Sequence, residues 1–230
     1  MFHPHGILAT GFVCNGCWSR PFNELTAAKD LDVPKNTGTV FLIASNLREW
    51  SAFFKVLCDV SGRLESATRS NINRLMTARR NIGIIPGGFE DATLMKHGKD
   101  RTFMSKRKGL IKYALQHGYA VTPIYSFGES QTYYTLTWFL KQRLLLNAYN
   151  IPGVLFFGEP WLPLLPRQDS CILSYVGEPL QLPQIDAPSP AEVDEWHAKY
   201  LEALRKVFND NKAEANAAGS GCVEEQLEIF

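Results

Sequence analysis

No stretch of the 230-residue sequence reaches the ~18 to 20 consecutive apolar residues that a helix needs to cross a bilayer. Charge of one sign is also lacking. The formal net charge of +1 argues against a general nucleic-acid binder, which carries a strongly basic surface. Cysteine is sparse and odd in number: Cys14, Cys17, Cys58, Cys171 and Cys222. With no signal-peptide pattern at the start, such a scattered set points to a reducing compartment and free thiols. Cys14-Asn15-Gly16-Cys17 is a lone CxxC without the second pair a zinc site needs, so buried thiols are its ordinary reading. There is no Gly-rich loop ending in GK[ST], which leaves an NTPase unsupported. Internal repeats and a linker dividing two domains are missing as well.

What is present is an ordinary globular composition, 45% apolar and 20% charged, over a length that buries a sizeable core. Thr39 to Ala44 and Ile82 to Ile85 read as strands buried on both faces, and Tyr119 to Tyr125 and Cys171 to Val176 as two more. Between them lie helical patterns. One starts at Asn46 with Leu47, Trp50, Phe54 and Leu57 and is broken by Gly62. The next is capped by Ser70, with Ile72, Leu75 and Met76 as its apolar face. A further helix, Gly109 to His117, is stopped by Gly118. Ser189-Pro190-Ala191-Glu192 is a capping box with proline at N1, opening a helix whose face is Val193, Trp196, Tyr200, Leu204 and Phe208. Strands alternating with helices predict an α/β fold with a mostly parallel central sheet and flanking helices. Ile7 to Trp18 is apolar but fits helix or strand equally. Residues 131 to 166 crowd Tyr133, Tyr134, Trp138, Phe139, Trp161 and many leucines around Lys141 and Arg143. This is either folded core or a surface resting in a membrane interface, where aromatics are favoured and Lys and Arg can snorkel.

Chemistry starts with His3-Pro4-His5-Gly6. Two imidazoles at i and i+2 could hold a metal, but no third ligand stands at recognisable spacing. His5 as a general base is the alternative to a structural histidine, since imidazole titrates near neutrality. A base needs an orienting acid. Glu90 and Asp91 leave the second strand's end in Pro86-Gly87-Gly88-Phe89-Glu90-Asp91, where loops of an α/β sheet gather working groups. Gly87 and Gly88 can present backbone N–H groups to an oxyanion, or simply make a tight turn. Lys99, Arg101, Lys106, Arg107 and Lys108 precede a helix N-terminus, which suits phosphates and so a cosubstrate such as coenzyme A.

These pieces, in this order, resemble the type-2 diacylglycerol acyltransferase family, which includes monoacylglycerol and wax-alcohol acyltransferases. The likeness runs from His3 to about Lys212. HPHG at His3 to Gly6 is its most specific part. Arg107-Lys108-Gly109, through His117-Gly118 and Val121, to Pro123-Ile124-Tyr125-Ser126-Phe127-Gly128-Glu129 matches a second, longer block. Gly62 with Arg69, Val176 to Pro179, and His197, Tyr200, Leu204 and Phe208 match the remaining landmarks. The resemblance implies a glycerolipid-acyltransferase-like domain over 1–212, and the Ala-, Gly- and Glu-rich composition beyond Lys212 reads as a flexible tail over 213–230. It implies acyl-CoA-dependent esterification of an acylglycerol, diacylglycerol to triacylglycerol first, at the endoplasmic reticulum membrane or a lipid droplet. Acyl-CoA is then the cosubstrate, with no further cofactor. In that picture His5 is the base, His3 supports it, Glu90 or Asp91 is the acid, and Arg107, Lys108 and Arg69 with the glycine pair hold the CoA ester.

Two features depart from the family pattern. Ungapped counting puts Asp91 where the family's glycine-pair loop has its glutamate, while Glu90 sits one residue earlier. Family members also carry a hydrophobic hairpin before HPHG. The sequence is therefore expected either to be a truncated piece or to lack the usual anchor. The alternatives are a monoacylglycerol or long-chain alcohol acceptor, and an impaired membrane or lipid-droplet protein on the same scaffold. A lysophospholipid enzyme fits less well. It needs an aspartate where Thr10 follows His5.

Overall fold

A computed structural model describes residues 1–28, 38–45, 55–56, 59, 64–149, 151, 153–221 and 226–230. Taken in chain order, the strands are β1 (Phe2–His3), β2 (Val40–Ile43), β3 (Leu64–Ser66), β4 (Ile82–Ile84), β5 (Arg101–Thr102), β6 (Ala120–Val121), β7 (Ile124–Phe127), β8 (Tyr134–Thr135), β9 (Phe156–Phe157), β10 (Leu173–Val176), β11 (Leu180–Gln181) and β12 (Glu228–Ile229). The α-helices are α1 (Arg20–Ala28), α2 (Arg69–Thr77), α3 (Gly88–Leu94), α4 (Gly109–His117), α5 (Leu140–Asn147) and α6 (Pro190–Ala217). Gly11–Cys17 winds as a π-helix, the outcome for the apolar run left open between helix and strand. The helix expected from Asn46, with Gly62, Cys58 and Cys222, lies outside the described residues.

The chain divides into two compact units, Met1–Gly11 with Pro86–Phe230, and Phe12–Ile85. In the smaller unit β2 is central, parallel to β3 on one side and to β4 on the other. Its fully buried Phe41 lies against Gly83 of β4, where a Cβ would strike the ring. The cap of α2 is Thr68 and not Ser70: the Thr68 hydroxyl accepts the Asn71 N–H at 3.2 Å, two residues earlier than read from the sequence.

In the larger unit β7 is flanked by β1 in parallel and β10 in antiparallel pairing, with His3 beside Tyr125 and Ser174 beside Ser126. The class is α/β. In place of one mostly parallel central sheet, however, the described strands form small sheets of mixed direction. One cause is Pro123, which has no N–H for a ladder and splits the expected strand 119–125 into β6 and β7. β6 then pairs with β11 instead.

Helix α4 ends as predicted, with Gly118 left-handed at φ 61° and its N–H closing on the last carbonyls. Helix α6 carries both halves of its capping box. Its buried face is Val193, His197, Tyr200, Leu204, Val207 and Phe208, so His197 takes the inward place expected of Trp196. Phe127 stacks on Phe208, and Tyr125 meets both rings edge-on in one buried cluster. Beyond Lys212 the chain was expected to fray, yet α6 runs on to Ala217 with Ala215 fully buried. Further on, β12 pairs with β5, and Leu227 joins the Tyr125 cluster. Apolar contacts thus order much of 213–230.

Residues 134–165 resolve the aromatic segment in favour of surface. Trp138 is 69% exposed, Phe139 71% and Tyr149 76%, with Leu145, Leu155, Trp161 and Leu164 beside them in exposure. Arg143 does not snorkel. It is buried, giving Nε–H to Trp138 O and Nη1–H to Thr93 O and Gly153 O. Among the described residues no helix is long and apolar enough to cross a membrane.

Candidate active site

His3 and His5 leave β1 in opposite circumstances. His3 is fully buried. Its Nδ1 lies 3.2 Å from Thr102 Oγ1 and its Nε2 2.9 Å from the Tyr200 hydroxyl. Burial lowers its pKa to about 3, so the ring is neutral and carries one N–H. Thr102 in turn lies 3.2 Å from Asp91 Oδ1. An ionised carboxylate only accepts, so the Thr102 hydroxyl donates to Asp91 and takes the His3 Nδ1–H. Tyr200 then donates to the bare His3 Nε2. One directed chain results, from Tyr200 through His3 and Thr102 to Asp91.

His5 is partly exposed. Its Nδ1 is 3.1 Å from Gly6 O. A carbonyl can only accept, which assigns the proton to Nδ1 and leaves the Nε2 lone pair bare. Among the described residues Nε2 has no hydrogen-bond partner. Burial lowers the pKa of this imidazole from its ordinary value, against the opposing pull of the Gly6 carbonyl, and favours the neutral ring. Gly6 adopts φ 60°, and a Cβ there would collide with the carboxyl of Glu129.

The two acidic candidates separate cleanly. The stretch expected as a tight loop opens α3 at Gly88, so Glu90 and Asp91 sit in its first turn. Asp91 is buried and collects three donors: His5 N–H at 3.2 Å on Oδ2, Phe103 N–H on Oδ1, and the Thr102 hydroxyl. Burial raises its pKa to about 6 against those hydrogen bonds. Glu90 instead forms an ion pair with Arg107 at 2.5 Å, in partial exposure. Gly87 lets the Asp91 carboxylate come close, for a Cβ at 87 would overlap it. Gly88 needs its freedom for φ 60°. Both amides stand at the start of α3, where helix N–H groups have no intrahelical acceptor.

The basic group is largely matched by carboxylates. Arg107 pairs with Glu90 and lies 5.5 Å from the Phe103 ring centre; Lys108 pairs with Asp194 at 2.7 Å, and Arg101 with Glu228 at 2.6 Å. Lys106 is exposed. Arg69 is exposed at the start of α2 and belongs to the smaller unit. The structure therefore brings His3, His5, Gly87, Gly88, Glu90, Asp91, Arg107 and Lys108 into the larger unit. Thr102 and Tyr200 also contact these residues, and Glu129 lies against Gly6 and Gly11, although the sequence alone assigns none of the three a role. Tyr200 and Glu129 stood among the family landmarks; Thr102 gave no signal.

The family model described as diacylglycerol acyltransferase matches residues 1–221. The Homo sapiens protein named acyl-CoA wax alcohol acyltransferase 1 is 31% identical over 99% of this chain and 69% of its own length. Diacylglycerol O-acyltransferase 2 of Xenopus laevis is 28% identical over 97% of this chain, which spans 63% of that protein. Against the Homo sapiens diacylglycerol O-acyltransferase 2 the identity is 28%, over 92% of this chain and 55% of the relative. No solved structure matches the chain. The chain belongs to the diacylglycerol acyltransferase family and is an O-acyltransferase.

Proposed function

We propose that the protein transfers a fatty acyl group from acyl-CoA to the hydroxyl of an acylglycerol, with diacylglycerol as acceptor and triacylglycerol as product. The acceptor oxygen bonds to the thioester carbonyl carbon while His5 Nε2 takes its proton. Collapse of the tetrahedral intermediate breaks the C–S bond, and the proton passes to the departing CoA thiolate. Gly87 and Gly88 N–H groups face the oxyanion. Asp91 and His3 hold the His5 backbone in place. Arg107 and Lys108 exchange their carboxylate partners for CoA phosphates, as guanidinium and ammonium groups readily do. The part of Arg69 rests on the family resemblance alone.

The observation that carries this reading is the His5 ring, with Nδ1 tied to Gly6 O and Nε2 open. The exposed aromatic segment 134–165 supports work at a lipid surface, placed here at the endoplasmic reticulum membrane or a lipid droplet. A monoacylglycerol or long-chain alcohol acceptor is the second reading, favoured by the relative named for wax alcohol. The test incubates membranes expressing the chain with labelled acyl-CoA and each acceptor. Ester product is expected from the unmodified chain, falling on the order of 10²-fold or more in His5→Ala. Equal product from both overturns the role of His5. Vesicle binding by flotation without any ester product turns the reading to an impaired lipid-surface protein.

A further inference from the structure

Glu129 is a buried carboxyl that the proposed chemistry leaves unused. It is 1% exposed and follows β7 across Gly128, whose φ of 88° and missing Cβ let the Cys171 carbonyl lie against the turn. Oε1 accepts the Gly11 N–H at 2.5 Å. Among the described residues Oε2 has no hydrogen-bond partner, and it rests where a Cβ of Gly6 would be. One carboxyl group therefore touches both ends of the segment 6–11. The first residue of that segment carries the carbonyl that fixes the His5 tautomer.

A buried charge with one hydrogen bond is far more costly than a neutral acid in the same place. Burial accordingly raises the Glu129 pKa to about 8, the Gly11 hydrogen bond opposing it. Among the described residues the titratable group that interacts with Glu129 is Tyr133, whose phenol is pushed up to about 12 by burial and then by the Glu129 charge; His5 lies one residue before Gly6. On the sheet side Ser126 Oγ pairs with Ser174 Oγ, a neutral contact at 2.7 Å.

We infer that Glu129 is a positioning residue. As a neutral acid it clamps Gly6 and Gly11, and through the Gly6 carbonyl it holds His5 with Nε2 free to accept a proton. Ionisation puts a charge against the Gly6 backbone and loosens the clamp. This inference rests on His5 being the base, and its test separates the two.

The experiment compares the full chain with Glu129→Gln and Glu129→Ala in membranes, as pH profiles of acyl transfer at saturating acyl-CoA. The unmodified chain is expected to lose turnover with a midpoint near pH 8. Glu129→Gln, always neutral, is expected to stay within about threefold at pH 7 and to lack that alkaline fall. Glu129→Ala is expected to lower kcat tenfold or more with KM for acyl-CoA unchanged. An alkaline fall that persists in Glu129→Gln overturns the inference, as does a Glu129→Gln variant no better than Glu129→Ala. Nitrogen-15 shifts of the His5 ring in detergent provide a readout that needs no turnover. The Nδ1–H form is expected at pH 6 in both the unmodified chain and Glu129→Gln, and at pH 9 only in Glu129→Gln. A tautomer indifferent to pH and to Glu129→Gln also overturns the clamp. Activity surviving His5→Ala overturns the base alone.

Discussion

Asp91 holds His5 by its backbone: Oδ2 accepts the His5 N–H at 3.2 Å, while the imidazole turns to Gly6 O. The acid thus fixes where the histidine sits and leaves its ring to the turn. Asp91→Asn tests this. An amide keeps the volume but places an NH₂ donor where the His5, Phe103 and Thr102 donors converge. Leaving one of them unpaired is expected to cost about 1–3 kcal/mol, read as a lower thermal midpoint, together with lost turnover. Glu90→Gln removes only a part-exposed pair with Arg107 and is expected to cost at most about 1 kcal/mol. The reverse ranking would make Glu90 the supporting acid.

The chain from Tyr200 to Asp91 predicts coupling between residues far apart in sequence. Tyr200→Phe keeps the ring and deletes the donor to His3 Nε2; Thr102→Val deletes the link between His3 and Asp91. Each single change is expected to cost about 1–2 kcal/mol by urea unfolding. Because both break one network, the double variant should fall short of the sum by 0.5 kcal/mol or more, roughly. Strict additivity would mean that the hydroxyls act separately.

Acid should expose His3. Its pKa is lowered in the fold to about 3 from 6.5, so the folded chain binds this proton less readily than the unfolded one. The resulting stability is fully present above pH 6.5 and is lost as pH falls toward 3. Asp91 runs the other way: raised from 3.8 to about 6, it favours the fold at low pH and loses that contribution as pH rises through 6. His3→Gln removes the first of these opposing effects. Urea midpoints at pH 7.5 and 5 should show the variant well below the unmodified chain at the higher pH, with the gap narrowing at the lower. A gap independent of pH would show that His3 is not held neutral by the fold.

Local signals were the ones legible in the sequence. The capping box at Ser189 and the left-handed Gly118 are chemistry within one turn, and both stand where the residues put them. The HPHG stretch could be picked out as a candidate site for a similar reason, since its residues are adjacent. Asp91 against Glu90 could not be decided, because the choice depends on which way α3 turns its first carboxylates. Thr102 and Tyr200 were hidden for a related reason: their partner His3 is 99 and 197 residues away, and no spacing rule links them. The sheet was misread where Pro123 interrupts it. Past Lys212 the sequence carries no such local signal, and Ala215 packs into a core that only the fold creates. The aromatic segment was ambiguous by composition alone, because which of its side chains face outward depends on the fold.

That buried arginine has a mechanical consequence. Its guanidinium fastens Trp138, at the root of the exposed aromatics, to Thr93 in the helix that carries Asp91. Asn147 adds a second rivet, accepting from the Thr93 hydroxyl at 3.1 Å and from Gly153 N–H at 3.2 Å. A lipid surface that took up Trp138 and Phe139 would not merely tether the enzyme. It would set the standing height of α3, and so the depth at which a lipid hydroxyl meets the imidazole.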